Sequence, residues 1–381
     1  MPDFSKLFST ADLPGLFRRL LLALAVGAFV SNAAVCWKVY RRAPLKEAAS
    51  RALMAERSSF FFDSSLAEPV PVFALKLAMA AGADPDAAVR LEGLAVYAAL
   101  FFSTIFVLRS RLGWECAVMG AFLAGANPYM GYYAMQGSSH LYALLFLVLF
   151  WFYLGERPLS RRGALLAALF GGLACLSRMD SALALLLVAG LTWAAERGAF
   201  PLKRAVMALG LAFALALPYA AWQKASYGNF LYAQELGLRR WANLDRFGYD
   251  PGAQRPQGPL AVSSFLLRDG AAGAVKGAFG GLGRAFGREL PRAFYYTPML
   301  VFVFLGFYSA FALRKDQLLA FTGAALLPVL PVAGIDQVSV TGGIELRYYL
   351  PVLWALCAMA GLGLQETLAW AAARLTEGKR T

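Results

Sequence analysis

Long apolar blocks separated by short basic segments are the feature that most constrains the fold of this chain. Several blocks approach the roughly 20 residues that a helix needs to cross the hydrocarbon core of a bilayer. They predict about ten helices, at residues 15–37, 91–108, 114–133, 139–154, 163–177, 181–195, 204–222, 298–313, 317–333 and 348–372. We therefore expect an all-α polytopic membrane protein that forms a single domain over residues 1–381.

Composition agrees with this prediction and argues against a soluble protein. Charged residues make up 15% of the chain, whereas a soluble domain carries about 25%. A net charge of +13 is also found in nucleic-acid-binding proteins, but here the basic residues lie between apolar blocks and form no soluble basic domain. We therefore expect membrane lipids, and no nucleic acid, among the partners.

The basic residues between the blocks predict which loops share one side of the membrane. One set of alternate loops, together with the two chain ends, holds roughly 16 lysines and arginines; the short loops of the other set hold about 2, Arg178 and Arg347. Short loops rich in Lys and Arg are usually cytoplasmic. We expect both termini in the cytoplasm, and we interpret the N-terminus as a tail before a first spanning helix because no clear signal peptide is visible.

Two long segments, residues 38–90 and 223–297, fall on the outer side in this topology. Within the first, residues 48–57 predict an amphipathic helix, and residues 70–82 predict an apolar helix that is too short to span the bilayer. Within the second, residues 270–287 are rich in small residues and predict another interfacial helix. The two segments are therefore expected to be outer loops that contain helices lying on the membrane.

Three acidic residues of segment 38–90 are candidates for a general base: Asp63, Glu47 and Glu68, in that order of preference. Asp63 follows three phenylalanines, and Glu68 precedes a proline. A carboxyl group beside apolar residues can be desolvated, which raises its pKa towards the range that a general base needs. The alternative is that these are solvated loop carboxylates. The four cysteines fall in apolar segments without metal-site spacing, so no metal ligands are predicted.

Other polar residues on the predicted outer side are candidates for binding an anionic substrate. Guanidinium groups match phosphate oxygens in geometry, so Arg178 and Arg347 are expected to converge with segment 224–240 near the outer headgroup level and to form a site for a lipid phosphate. Each of these residues could instead have a structural role. Asp180 could cap the next helix, and Tyr348 could belong to an interfacial aromatic belt. His140 could simply form a hydrogen bond at a helix end. The candidate binding residues are His140, Arg178, Asp180, Lys224, Tyr227, Arg239, Arg347 and Tyr348.

Four stretches carry a resemblance to a known group of membrane proteins. They are residues 62–69 (FDSSLAEP), 126–134 (ANPYMGYYA, with Leu141-Tyr142 after it), 175–181 (CLSRMDS) and 345–351 (ELRYYLP). In this order they resemble the GT-C superfamily of membrane glycosyltransferases, in particular bacterial members similar to dolichyl-phosphate-mannose-protein mannosyltransferases. The resemblance covers nearly the whole chain, although each stretch alone is weakly specific.

The resemblance implies a polyprenyl-phosphate-dependent hexosyl- or pentosyltransferase of the bacterial cytoplasmic (inner) membrane, with a role in the cell envelope. Such an enzyme moves a sugar from the lipid donor to a glycan, lipid or protein acceptor on the extracytoplasmic face. A carboxylate of the first outer loop acts as general base, and the anomeric carbon is inverted. The lipid-linked sugar is the donor, and no cofactor is implied with certainty; a divalent metal stays open but is supported by no residue cluster.

Two departures from the family pattern keep an alternative open. Where the family often has an acidic pair early in the first outer loop, this chain has Lys46 and Glu47, and Ser139-His140 stands where relatives often carry a charged pair. The alternative is a non-catalytic GT-C-like scaffold or lipid-binding subunit of a surface-polysaccharide system. A transporter is disfavoured because few charges lie in the middle of the predicted helices.

Overall fold

The computed structural model describes residues 13–43, 45–64, 68–196, 200–234, 270–329 and 346–377, and every regular element within these ranges is helical. The first helices are α1 (Leu13–Tyr40), α2 (Lys46–Arg57), α3 (Pro69–Ala80), α4 (Pro85–Arg111), α5 (Trp114–Gly125), α6 (Pro128–Met135), α7 (Ser139–Leu154), α8 (Arg161–Ser177), α9 (Ser181–Ala195) and α10 (Leu202–Tyr227). They are followed by α11 (Gly270–Arg284), α12 (Leu290–Phe294), α13 (Leu300–Ala312), α14 (Asp316–Leu326) and α15 (Leu350–Glu377).

Four of the described helices are long and apolar enough to cross a membrane: α1, α4, α10, and α15 with the short turn before it. Two bent pairs, α6 with α7 and α11–α12 with α13, raise the number to six if each pair forms one span. The prediction of an all-α membrane protein is therefore confirmed at this level. The count of about ten spanning helices stays a prediction.

The single helix predicted at residues 114–133 is wrong, because the chain breaks at Asn127. The Asn127 side-chain oxygen accepts hydrogen bonds from the backbone N–H groups of Tyr129 and Met130, and Pro128 occupies the first position of α6. These are the features of a helix start. The Asn127 amide also donates to the carbonyl of Ala293 at 2.9 Å, which ties the break to α12. Helix α7 then leaves α6 at an angle of 117°.

The segment predicted as an outer loop, residues 38–90, is largely helical. Helices α2 and α3 confirm the two predicted helices. Helix α4 begins at Pro85 rather than near residue 91, because the Asp84 carboxylate accepts a hydrogen bond from the Ala87 N–H at 3.0 Å and caps the helix there. In the second long segment, α11 confirms the helix predicted at residues 270–287.

The core lies where α4, α5, α7, α14 and α15 pack together. Its centre is an aromatic cluster in which the rings of Trp151, Phe321 and Trp354 lie 5.0–6.0 Å apart. The buried Trp354 indole N–H donates to the Thr104 hydroxyl at 2.8 Å. This bond satisfies the polar atoms of the two side chains where α15 crosses α4.

Helices α13 and α15 approach each other so closely that only glycine fits at the contact. A Cβ on Gly306 would overlap the carbonyl oxygen of Met359, and a Cβ on Gly363 would overlap that of Phe302. Small residues of this kind allow helix backbones to meet in membrane proteins, where close packing replaces the hydrophobic effect as a source of helix association.

The helices run between two polar ends. At one, the Arg157 end, the Arg157 guanidinium pairs with Glu196, and the Gln317 amide donates to Glu196 at 2.9 Å. Near this end, Arg111 donates to the carbonyl of Gly155 at 2.6 Å. These contacts unite the turns after α4, α7, α9 and α13, the loops that the charge pattern assigns to one side. The opposite, Arg178 end contains the candidate site.

The two ends of the described chain lie with the α4–α5 turn. Arg18 of α1 pairs with Glu115 at 3.1 Å, and the Gln365 amide of α15 donates to the carbonyl of Leu112 at 3.1 Å. Because Arg111 of the same turn reaches the Arg157 end, the start of α1 and the later part of α15 belong to that end. The prediction that both termini lie in the cytoplasm stays a prediction.

Candidate functional site

Arg178 is the centre of the candidate site. It ends α8 in an extended conformation, in the short turn before α9. Its side chain is 20% exposed and binds the Asp180 carboxylate through two nitrogens, Nε to Oδ1 at 2.9 Å and Nη2 to Oδ2 at 2.7 Å. Asp180 occupies the N-cap position of α9 but makes no side-chain capping hydrogen bond, so the capping alternative is wrong. Its carboxylate holds the guanidinium instead.

His140 connects this turn to the start of α7. Its Nδ1 lies 3.4 Å from Arg178 Nη1 and 3.3 Å from the Ser138 hydroxyl. The histidine is buried, and its Nε2 has no hydrogen-bond partner among the described residues. A buried polar atom without a partner is uncommon in folded proteins. His140 is therefore placed both to orient Arg178 and to offer one ring nitrogen to a ligand.

Tyr348 brings the second predicted arginine to the same place. The guanidinium carbons of Arg178 and Arg347 lie 5.9 and 5.7 Å from the centre of its ring. The ring of His140 meets the Tyr348 ring at 5.0 Å and nearly at right angles. Cations within about 6 Å of an aromatic ring are attracted to its face. The structure thus groups His140, Arg178, Asp180, Arg347 and Tyr348.

Glu68 is the candidate base that the structure associates with Arg178. It directly precedes α3, with Pro69 at the first helical position, and is half-buried. Burial raises the pKa of Glu68, and the positive charge of Arg178 opposes that rise. The hydroxyl of Ser64 hydrogen-bonds the buried Tyr219 of α10, and the charge of Glu68 also acts on Tyr219. Ser64 and Glu68 therefore both lie beside α10.

The other two candidate bases have different surroundings. The Asp63 carboxylate accepts hydrogen bonds from the backbone N–H and the hydroxyl of Ser59, at 3.3 and 3.0 Å. It thereby closes a local turn. Glu47 lies in the first turn of α2, and its side chain is outside the described part of the chain. The geometry therefore favours Glu68 over Asp63, the reverse of the order expected from sequence.

Lys224 and Tyr227 lie in the last turn of α10, and the contacts described for them are with neighbouring residues rather than with Arg178. The Lys224 ammonium donates to the carbonyl of Gly228 at 2.6 Å and lies 5.8 Å from the centre of the Phe230 ring. Tyr227 is exposed and stacks on Tyr232, with the ring centres 4.4 Å apart. Lys224 therefore completes the end of α10 locally. Arg239, also predicted to bind substrate, lies outside the described residues.

Sequence reasoning missed a second polar cluster beside this site. It consists of Arg51 on α2, Glu92 on α4 and Tyr142 on α7. Glu92 accepts a hydrogen bond from the Tyr142 hydroxyl at 3.2 Å, and the buried Arg51 donates to the carbonyl of Gly137 at 2.9 Å. Two signals were available. Glu92 is a charge inside a spanning helix, and Arg51 shares the helical face of the buried Ala48, Ala52 and Ala55.

No group of three or more His, Cys, Asp and Glu side chains that could hold a metal ion occurs in the part of the chain that the structure describes. Comparison with protein-family models gives no match to this sequence, and comparison with curated proteins gives none either. The geometry of the residues themselves must therefore support any functional assignment.

Proposed function

We propose that this chain is a GT-C-like membrane glycosyltransferase that transfers a sugar from a polyprenyl-phosphate donor to an acceptor at the Arg178 end. One observation carries the proposal. A cationic group that suits a phosphate, Arg178 with Arg347, shares a site with Glu68, a half-buried carboxylate whose pKa burial raises. Phosphate departure needs positive charge, and acceptor activation needs a base.

Each residue has a role in this proposal. The two guanidinium groups hold the donor phosphate, and the Tyr348 ring that both contact limits their movement. His140 Nε2 is directed to the ligand, because Nδ1 already faces Arg178 and Ser138. Asp180 keeps Arg178 in place. Arg178 balances the charge of Glu68, so that the carboxyl group can ionise despite its burial.

The proposed reaction is a single displacement at the anomeric carbon. The acceptor hydroxyl gives its proton to the Glu68 carboxylate, and its oxygen forms a bond to the anomeric carbon. The bond from that carbon to the phosphate oxygen breaks, and the phosphate leaves with the electron pair. Positive charge at Arg178 and Arg347 stabilises the negative charge that develops on the phosphate. Attack opposite the leaving group inverts the anomeric carbon.

We place this reaction on the extracytoplasmic face of a bacterial cytoplasmic membrane, with about ten spans and both termini in the cytoplasm. Support comes from the turns after α4, α7, α9 and α13, which meet at the Arg157 end through contacts of Arg111, Arg157 and Gln317. Under the positive-inside rule that end is cytoplasmic. Helices α2 and α3 then lie on the outer side as the GT-C-like loop that carries Glu68.

The test measures sugar transfer from labelled polyprenyl-phosphate hexoses and pentoses by the full chain in nanodiscs, with detergent-solubilised envelope glycolipids and peptides as acceptors. Glu68→Gln should reduce the rate by about 10²–10⁴, and Asp63→Asn is the matched control. Equal activity in wild type and Glu68→Gln would contradict the role of Glu68.

A second candidate function is a non-catalytic lipid-binding subunit. It is favoured by the two-point contact that Asp180 makes with Arg178, which already occupies much of the guanidinium group. Donor lipid that binds to wild type but is never transferred, with any acceptor, would support this candidate against the enzyme.

A further inference from the structure

The Arg51–Glu92–Tyr142 cluster contains two buried polar atoms, one donor and one acceptor, that have no hydrogen-bond partner among the described residues. Arg51 Nη1 and Glu92 Oε1 are both inaccessible to solvent, and neither has a hydrogen-bond partner among the described residues. The second atom of each group is engaged, Arg51 Nη2 by the carbonyl of Gly137 and Glu92 Oε2 by the Tyr142 hydroxyl. Each side chain is thus fixed in place with one polar atom unused.

The backbone is adapted to hold the Arg51 guanidinium in this position. Gly137 adopts a positive φ of 61° in the turn between α6 and α7. A Cβ at this residue would lie 3.3 Å from Arg51 Nη1 and would overlap the side chain of Val89. Glycine is therefore required both by the backbone angle and by the space.

The charge of the cluster indicates the chemical class of its ligand. A free phosphate would be repelled by Glu92, and a metal cation would be repelled by Arg51. The two unpartnered atoms are one N–H donor and one carboxylate acceptor. Neighbouring hydroxyl groups of a neutral ligand match this pair, because one hydroxyl oxygen accepts from Arg51 while the other hydroxyl donates to Glu92.

The cluster adjoins the candidate site. Gly137, which binds Arg51, lies in the turn that leads to His140, which contacts Arg178. The charges of Arg51 and Arg178 both act on Glu68. We propose that Arg51, Glu92 and Tyr142 form a hydroxyl-binding subsite for the sugar group of the lipid-linked ligand. The inference rests on the proposed function, since it takes the phosphate of the same ligand to bind at Arg178.

The test compares the affinity of the full chain in nanodiscs for undecaprenyl phosphate with its affinity for the same lipid esterified with mannose, glucose, galactose or arabinose. Wild type should bind at least one of the sugar lipids about tenfold more tightly than the bare phosphate, as expected for hydrogen bonds to charged groups. Glu92→Gln and Arg51→Met should remove this difference and leave the affinity for the bare phosphate unchanged. Glu56→Gln, an exposed change on α2, is the control.

The outcomes separate this inference from the proposed function. Glu92→Gln is nearly isosteric and keeps an acceptor for Tyr142, so it tests the subsite even if Arg51→Met fails to fold. If both variants keep the preference for the sugar lipid, or wild type has none, the inference is overturned whatever the transfer activity. A preference that depends on Glu92, without transfer to any acceptor, upholds the subsite and contradicts only the enzymatic function. Failure to bind any of the lipids overturns both.

Discussion

The Arg178 guanidinium lies 5.9 Å from the centre of the Tyr348 ring, although the two residues belong to opposite halves of the chain. Arg347 lies against the same ring at 5.7 Å. Two like charges repel each other, so a ring that both guanidinium groups contact offsets part of that repulsion. This contact joins the α8–α9 turn to the start of α15.

Two substitutions of Tyr348 should distinguish what its aromatic ring contributes to stability from what its hydroxyl group contributes. Tyr348→Leu removes two cation–ring contacts and the contact with His140, and we expect it to lower the free energy of unfolding by about 1–2 kcal/mol. Tyr348→Phe keeps the ring and should lie near wild type. Thermal or denaturant unfolding in detergent measures both. An equal loss in the two variants would attribute the effect to the hydroxyl group.

Neutralising Asp180 should strengthen the binding of a lipid phosphate. Asp180→Asn removes the carboxylate that now occupies Arg178, so we expect undecaprenyl phosphate to bind about three- to tenfold more tightly. Asp86→Asn, in the first turn of α4, is the control. Affinity in nanodiscs is the measurement. Weaker binding in Asp180→Asn would mean that the loss of a well-positioned Arg178 outweighs the removal of the competing carboxylate.

The raised pKa of Glu68 predicts a dependence of stability on pH. The folded protein binds this proton more tightly than the unfolded chain, whose carboxyl group has its ordinary pKa of 4.5. Stability should therefore fall as pH rises from 4.5 through the higher folded pKa, where Glu68 ionises in its buried position. Glu68→Gln should be more stable than wild type at neutral pH, and the two should converge below pH 4.5. Parallel stability curves across this range would contradict the burial of Glu68.

The same proton should control activity. If Glu68 is the base, transfer should decline as pH falls through the folded pKa of Glu68, because the protonated carboxyl cannot accept the acceptor proton. Rates of donor turnover from pH 4 to pH 9 measure this. A rate that does not change with pH in the acidic range would exclude Glu68 from this role.

The glycine contact between α13 and α15 predicts that glycine-to-alanine substitutions destabilise the fold by different amounts at different positions. Gly306→Ala and Gly363→Ala place a methyl group on a backbone carbonyl, so each should destabilise the fold by at least about 1–3 kcal/mol. Gly210→Ala on α10 meets open space and should be neutral or slightly stabilising. Unfolding of the three variants in one detergent gives the comparison. Similar stabilities would show that α13 and α15 are further apart.

Topology can be measured with single introduced cysteines, because Cys36, Cys116, Cys175 and Cys357 are all buried. A membrane-impermeant thiol reagent applied from outside should label Ala83→Cys, at an exposed position between α3 and α4, but not Ser160→Cys, before α8. Permeabilised cells should label both. Outside labelling of Ser160→Cys would reverse the proposed orientation.

The division of the chain between two ends was predictable from sequence. The prediction counted the charges beside each helix, and two of the counted residues, Arg111 and Arg157, do lie together at one end. Counting charges predicts the common end because each basic side chain needs water or a polar partner. This requirement does not depend on which helices pack together. The helix break at Asn127-Pro128 also had a local signal, but the apolar residues around it concealed the break.

The choice among the carboxylates was not predictable, because it depends on contacts between distant segments. Asp63 has the apolar neighbours that suggest desolvation, but its carboxylate closes a turn with Ser59. Glu68 has an ordinary local sequence and acquires its raised pKa from burial in the fold. Arg51 and Glu92 each had a local signal, but their pairing was not predictable, because their helices become neighbours only in the tertiary structure.

The lengths of α8 and α9 have a consequence for the surrounding bilayer. With 17 and 15 residues, these helices are about 22–26 Å long at 1.5 Å per residue, less than the roughly 30 Å of hydrocarbon in a typical bilayer. In the proposed topology, in which both helices cross the bilayer, an Arg157 end at one surface leaves Arg178 and Asp180 several ångströms below the other. A lipid phosphate reaches them only where that leaflet is locally thin, so acyl-chain length should tune access to Arg178, with long-chain lipids excluding it.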